Sequence, residues 1–152
     1  MEAERREPAE EQGSADPRGL LDTSVVIELE RLDPSELPLE SAICAVTLAE
    51  LAAGPHATDD AAERGRRQER LQRVEATFEP LPFDVNAARA YGRIYSAVVS
   101  SGRKARGRRA VDLMLAATAL ATGLPIYTCN AQDFAGLDGL VRVVEVSPSD
   151  RG

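Results

Sequence analysis

The chain has no Trp, and only three Tyr and three Phe, so its interior has to be filled by Leu, Val, Ile and Ala. Its two Cys, Cys44 and Cys129, each lie in an apolar, strand-like run. Two such residues read as reduced core side chains rather than a disulfide framework, and they point to the cytoplasm. The single His, His56, follows Gly54-Pro55 with no second His or Cys at ligand spacing. That removes the usual zinc ligand set and makes His56 a solvated loop residue rather than a general base. Neither a Gly-x-Ser-x-Gly nucleophile elbow nor a Gly-rich phosphate loop occurs. No apolar run approaches the roughly 20 residues needed to cross a bilayer, and the polar, acidic N-terminus does not read as a secretory signal.

What is present suits one folded domain: 152 residues, 43% of them hydrophobic, are enough for a core. The net charge of -7 argues against broad, nonspecific nucleic-acid binding. Residues 1–18 carry six acidic and three basic side chains, which leaves -4 on the rest of the chain. If four carboxylates there bind metal, the remaining surface is close to neutral. The segment 1–18 is rich in Glu, Ala, Pro and Arg without an apolar period, and reads as a disordered tail. The domain is expected to span 19–152.

From Gly19 onward, short apolar runs alternate with helical patterns. Strands are expected at Leu20-Leu21, Ala42–Val46, Pro80–Phe83, Pro125–Thr128 and Val141–Val146. Helices are expected after Asp22, over Thr47–Ala53 with a Gly54-Pro55 stop, and over Asp60–Phe78, Asp84–Ser101 and Ala110–Thr122, with a short one at Asp133–Leu137. Alternation of this kind implies an α/β fold, a three-layer sandwich with a five-strand, mostly parallel sheet covered on both faces. Active crevices of such sheets lie beyond the strand C-termini, where the next helices start.

Three acidic residues fall there, Asp22, Glu50 and Asp133, and a fourth, Asp112, opens an otherwise apolar helix. Each has an ordinary explanation taken alone. Asp22 can cap the helix at Thr23, Thr47-x-x-Glu50 matches a capping box, Asp112 suits a helix first turn, and Asn130 can cap a helix containing Asp133. Taken together they weigh differently. Asp112 is the one charge on a helix expected to be buried, and no Lys or Arg lies between Val111 and Val141 to pair with it. Four carboxylates meeting at one sheet edge repel one another unless a cation holds them, and an all-oxygen donor set suits Mg²⁺ or Mn²⁺. The basic run Arg103-Lys104-Ala105-Arg106-Gly107-Arg108-Arg109 just before Asp112 reads either as a solvated loop or as a phosphate clamp.

The segments Leu20-Leu21-Asp22-Thr23-Ser24, Glu50-Leu51-Ala52-Ala53-Gly54, Asp112 to Ala119, and Thr128-Cys129-Asn130 with Asp133-Phe134 resemble the PIN-domain ribonucleases. Within them the likeness is to VapC-type toxins of bacterial toxin–antitoxin pairs, over about residues 19–147. The resemblance implies a PIN-like sheet of five strands and an acidic site for one or two Mg²⁺. It implies Asp22 and Asp112 as direct metal ligands, Glu50 as a direct or water-bridged ligand, and Asp133 as holding a second metal or positioning water. Thr23, Ser24, Thr128 and Asn130 would form the polar surroundings. It further implies RNA as substrate, a VapB-type antitoxin seated near residues 47–78 as partner, and a homodimer. Two other readings stand beside it. One is a PIN-like module that binds RNA or a protein without cutting. The other is a metal-dependent phosphatase, for which Ser24 stands where the required second Asp belongs.

Overall fold

The computed structural model of the protein describes residues 16–105 and 107–149. Among the described residues the sheet has four strands, β1 (Arg18–Leu21), β2 (Glu40–Ala42), β3 (Ile126–Thr128) and β4 (Val143–Glu145), in the order β2-β1-β3-β4, all parallel. The helices that accompany them in the described residues are α1 (Thr23–Ile27), α2 (Ala45–Ala53), α3 (Ala61–Thr77), α4 (Val85–Ser100) and α5 (Arg108–Thr122). Short 3₁₀ turns fill the connections; His56 lies exposed in the one over Gly54–Ala57.

The pleat decides which side chain goes to which face. Leu20, Cys44 and Ile126 join Ile94, Val98, Leu113 and Leu115 of α4 and α5 in one core cluster. Their neighbours Leu21, Ile43 and Tyr127 join Val25, Leu51 and Val74 of α1, α2 and α3 in the other. The sheet is thus the middle layer of a three-layer sandwich. Each fully buried Leu or Ile in these clusters contributes about 1.5–3 kcal/mol. Helix ends follow ordinary chemistry: Asp60 and Asp84 accept from the backbone N–H of Glu63 and Ala87, and α5 stops at Gly123 with a left-handed φ of 73°.

Three sequence expectations need correction. The third of the five expected strands, Pro80–Phe83, contributes only an isolated parallel bridge, Cys44 to Leu81. Leu81 donates to the Ile43 carbonyl and accepts from Ala45 N–H, at 2.9 and 2.8 Å. Pro80 and Pro82 on either side have no N–H to extend the ladder. The second strand ends at Ala42 rather than Val46, because α2 already starts at Ala45.

The fold also begins before Gly19. Arg18 is the first residue of β1, opposite Glu40. Asp16 accepts from the Tyr127 hydroxyl at 2.5 Å and from Arg142 at 2.8 Å. Burial and the adjacent Asp16 carboxylate push the Tyr127 phenol up to about 12. Gly19 is required just there: a Cβ would come within 2.6 Å of the Tyr127 ring. The rest of the expected tail, residues 1–15, lies outside the described residues, as does Arg106.

Candidate metal centre at the sheet switch point

After β1 the chain turns to β2 on one side, and later it reaches β3 on the other. The crevice beyond the C-terminal ends of β1 and β3 is therefore the topological switch point of the sheet. Asp22 directly follows β1, and Thr128 ends β3. A cavity of about 510 Å³ opens there, lined by Asp22, Thr23, Ser24, Ile27, Glu50, Arg109, Val111, Asp112, Asn130 and Asp133. All four acidic residues singled out from the sequence thus face one space.

Asp22 is the most firmly held. Only 6% of it is exposed. Its Oδ1 accepts from Thr23 N–H at 2.8 Å; its Oδ2 accepts from the hydroxyls of Ser24 at 2.9 Å and Thr128 at 2.8 Å. Those two hydroxyls also bind the incoming backbone, Ser24 accepting from Cys129 N–H and Thr128 from Asn130 N–H. The polar residues around Asp22 therefore lock its rotamer and tie α1 to the end of β3. Asp22 caps α1 and faces the cavity at once, so its two readings are compatible.

Glu50 is not part of a capping box. The extended residue Cys44 precedes α2, which puts Thr47 and Glu50 inside the helix, on successive turns. Glu50 is exposed, and its Oε1 accepts from the Thr23 hydroxyl at 2.5 Å. Thr23 in turn sits 3.1 Å from the fully buried Thr47 hydroxyl. Thr47 is a supporting residue that the sequence assigned only to capping. Asn130 stands where a cap belongs but makes no side-chain capping bond.

Asp112 departs from its bland reading too. α5 starts at Arg108, two residues earlier than expected, behind Gly107 with a positive φ of 65°. Asp112 consequently lies beyond the first turn, where the helix dipole no longer favours it. Its carboxylate makes no hydrogen bond among the described residues. Burial, and then the charges of Asp133, Asp22 and Glu50, push its carboxyl up from 3.8 to about 7, against a small opposing effect of Arg109.

Of the basic run, Arg109 lines the cavity, and its Nη1 donates to the Asp133 backbone carbonyl at 2.7 Å. Arg103 and Lys104 do not line it. Burial raises both thiols, Cys44 and Cys129, above their ordinary value, which disfavours their thiolate forms.

The donor chemistry fits a hard divalent cation. Four carboxylates face one cavity, their donors are all oxygen, and one carboxyl is driven toward neutrality by burial and then by the other three. Among the described residues, no three of these side chains are yet gathered closely enough to enclose an ion.

Comparison with known proteins agrees with this architecture. The PIN domain family model matches residues 19–140. Ribonuclease VapC5 of Mycobacterium tuberculosis is 41% identical over 128 residues, 82% of this chain and 91% of the relative. Ribonuclease VapC1 of Rickettsia felis is 30% identical over 135 residues, 86% of this chain and 98% of the relative. Among solved structures, the VapBC-5 toxin–antitoxin system of Mycobacterium tuberculosis superposes with a TM-score of 0.73 at 40% identity, covering 86% of this chain and 98% of that one. FitAcB of Neisseria gonorrhoeae gives 0.66 at 30% identity, over 83% and 96%. The chain belongs to the PIN domain family, and within it to the group of the VapC ribonucleases.

Proposed function

We propose that this protein is a divalent-cation-dependent endoribonuclease, the toxin of a toxin–antitoxin pair, acting in the cytoplasm. The observation that carries the reading is the meeting of Asp22, Glu50, Asp112 and Asp133 on one cavity at the switch point. Its relatives bear the name ribonuclease, and the structures it resembles include toxin–antitoxin complexes.

An RNA phosphodiester is anionic and is repelled by bare carboxylates. In this reading Asp22 and Asp112 hold the cation directly, Glu50 directly or through water, and Asp133 holds a second ion or positions water. Mg²⁺ or Mn²⁺, once bound, supplies charge neutralisation and a more acidic water. The protein's own part is to fix the donors. Ser24, Thr128 and the Thr23 backbone orient Asp22, while the Thr23 hydroxyl orients Glu50. Hydrolysis by water leaves a 5′-phosphate and a 3′-hydroxyl and needs no 2′-hydroxyl nucleophile. End-group analysis of the cleaved RNA tests this: 2′,3′-cyclic phosphate ends would rule it out.

The antitoxin has a place on the same reading. A groove lined by Val26, Ile27, Val74 and Phe78, with Glu30, Arg70 and Arg73 along it, runs between α1 and α3. Ile27 lines both this groove and the acidic cavity. An apolar segment seated in the groove can therefore send a basic arm to the carboxylates.

Glu50→Gln separates a metal-binding role from a structural one. Gln keeps an acceptor for Thr23 on an exposed side chain, so stability should stay within about 0.5 kcal/mol. Mg²⁺ affinity, read by calorimetric titration, should fall by about 10-fold or more. Unchanged affinity with full cleavage would make Glu50 structural and confine the site to the Asp residues.

A further inference from the structure

Arg109 is a cation placed among four carboxylates, yet it forms no ion pair with any of them among the described residues. Among the described residues its guanidinium has one hydrogen-bond partner, the backbone carbonyl of Asp133, 2.7 Å from Nη1. That bond ties the guanidinium to the same short 3₁₀ turn, Ala131–Phe134, that carries the Asp133 carboxylate. It commits one of the five N–H donors of the side chain and spares its charge. If Arg109 served as the built-in counter-ion of the acidic site, it would contact a carboxylate. If it served only to pin the turn, a neutral donor would suffice, and a partly buried charge facing the cavity would be an unneeded cost. A fixed planar fork beside carboxylates that hold a cation has another use. It matches the paired oxygens of a phosphodiester, a group whose charge a cation held by the carboxylates would also neutralise.

We propose that Arg109 is a catalytic residue of the ribonuclease reaction proposed above, donating to the non-bridging oxygens of the scissile phosphodiester and stabilising the charge that builds on them in the transition state. The inference rests on the ribonuclease reading and extends it. The basic run then divides by place. Arg109 acts inside the cavity, whereas Arg103 and Lys104, which do not line it, are left for general attraction of RNA.

The test compares wild type, Arg109→Lys and Arg109→Ala on total bacterial RNA with Mg²⁺, at protein concentrations that saturate the rate. Binding of the same RNA is measured by filter retention in EDTA across a salt series, and thermal unfolding of each variant is followed. A donor used in the transition state costs about 10²–10³-fold when removed. Arg109→Ala should lose about that much in the saturated rate, with RNA affinity changed less than about 3-fold. Arg109→Lys keeps the charge but loses the fork, and should remain at least about 10-fold slow. Millimolar guanidinium should restore part of the Arg109→Ala rate. A fully active Arg109→Lys, or an Arg109→Ala whose loss is matched by weaker RNA binding or by unfolding, would overturn the assignment. A wild type that binds RNA but does not cut it would overturn the ribonuclease reading, and this inference with it.

Discussion

Asp112→Asn is expected to reduce RNA cleavage by about 10³-fold while making the metal-free protein more stable at pH 8. The two effects have one cause. In the fold the Asp112 carboxyl titrates at about 7 instead of 3.8, because burial and the charges of Asp133, Asp22 and Glu50 disfavour its ionised form. Between those two values the folded chain binds a proton that the unfolded chain does not. The contribution of this group to stability is therefore complete below about pH 3.8 and is lost as pH rises through about 7. The whole displacement corresponds to about 4 kcal/mol, and solvent reaching a half-buried group reduces that to about 1–2 kcal/mol. Asn removes the charge and keeps the shape, so the variant should gain about 1–2 kcal/mol over wild type at pH 8 and nothing at pH 4. Urea unfolding in EDTA at the two pH values measures this. Equal stability at pH 8 would mean that neither burial nor the other three carboxylates disfavour the charge of Asp112. Mg²⁺ should raise the melting temperature of wild type and leave that of the variant nearly unchanged.

Asp22→Ala should have the opposite sign in stability and the same sign in activity. Asp22 is 6% exposed and accepts three hydrogen bonds, from Thr23 N–H and from the Ser24 and Thr128 hydroxyls. Truncation takes away the acceptor of the fully buried Thr128 hydroxyl, leaving it only the long 3.5 Å contact with Ser24 Oγ for its proton, and removes the cap of α1. An unsatisfied buried donor costs about 1–3 kcal/mol and a lost cap about 1 kcal/mol, so a loss of about 2–4 kcal/mol is expected. Cleavage should disappear as it does for Asp112→Asn. Two carboxylates on one cavity thus differ: Asp22 accepts three hydrogen bonds, and Asp112 is set by burial and by neighbouring charges against its ionised form. Were both variants to destabilise alike, Asp112 would have a structural partner and its place in a cation site would be wrong.

The sequence made the acidic residues legible because each lies in a recognisable local context. Asp22 follows a strand, Asp112 interrupts an apolar helix, and Asp133 follows the run that becomes β3. The strand–helix alternation then sufficed to bring Asp22 and Asp133 to one sheet edge. Boundaries were harder to read. The helix starts at Ala45 and Arg108 depend on an extended Cys44 and a positive-φ Gly107, and neither conformation is written in the apolar period. Those shifts of two residues overturned the capping-box and first-turn explanations of Glu50 and Asp112. The reduction of the expected third strand, Pro80–Phe83, to a single bridge was foreshadowed by Pro80 and Pro82. The Arg109–Asp133 carbonyl bond, across 24 residues of sequence, had no local signal at all.

Cleavage of total bacterial RNA by the purified, antitoxin-free protein, with Mg²⁺, with EDTA, and as Asp112→Asn, tests the central claim most directly. A ribonuclease that works through a carboxylate-held cation gives discrete fragments with Mg²⁺ alone, and none with EDTA or from the variant. Fragments that persist in EDTA, or from Asp112→Asn at the wild-type rate, would contradict it.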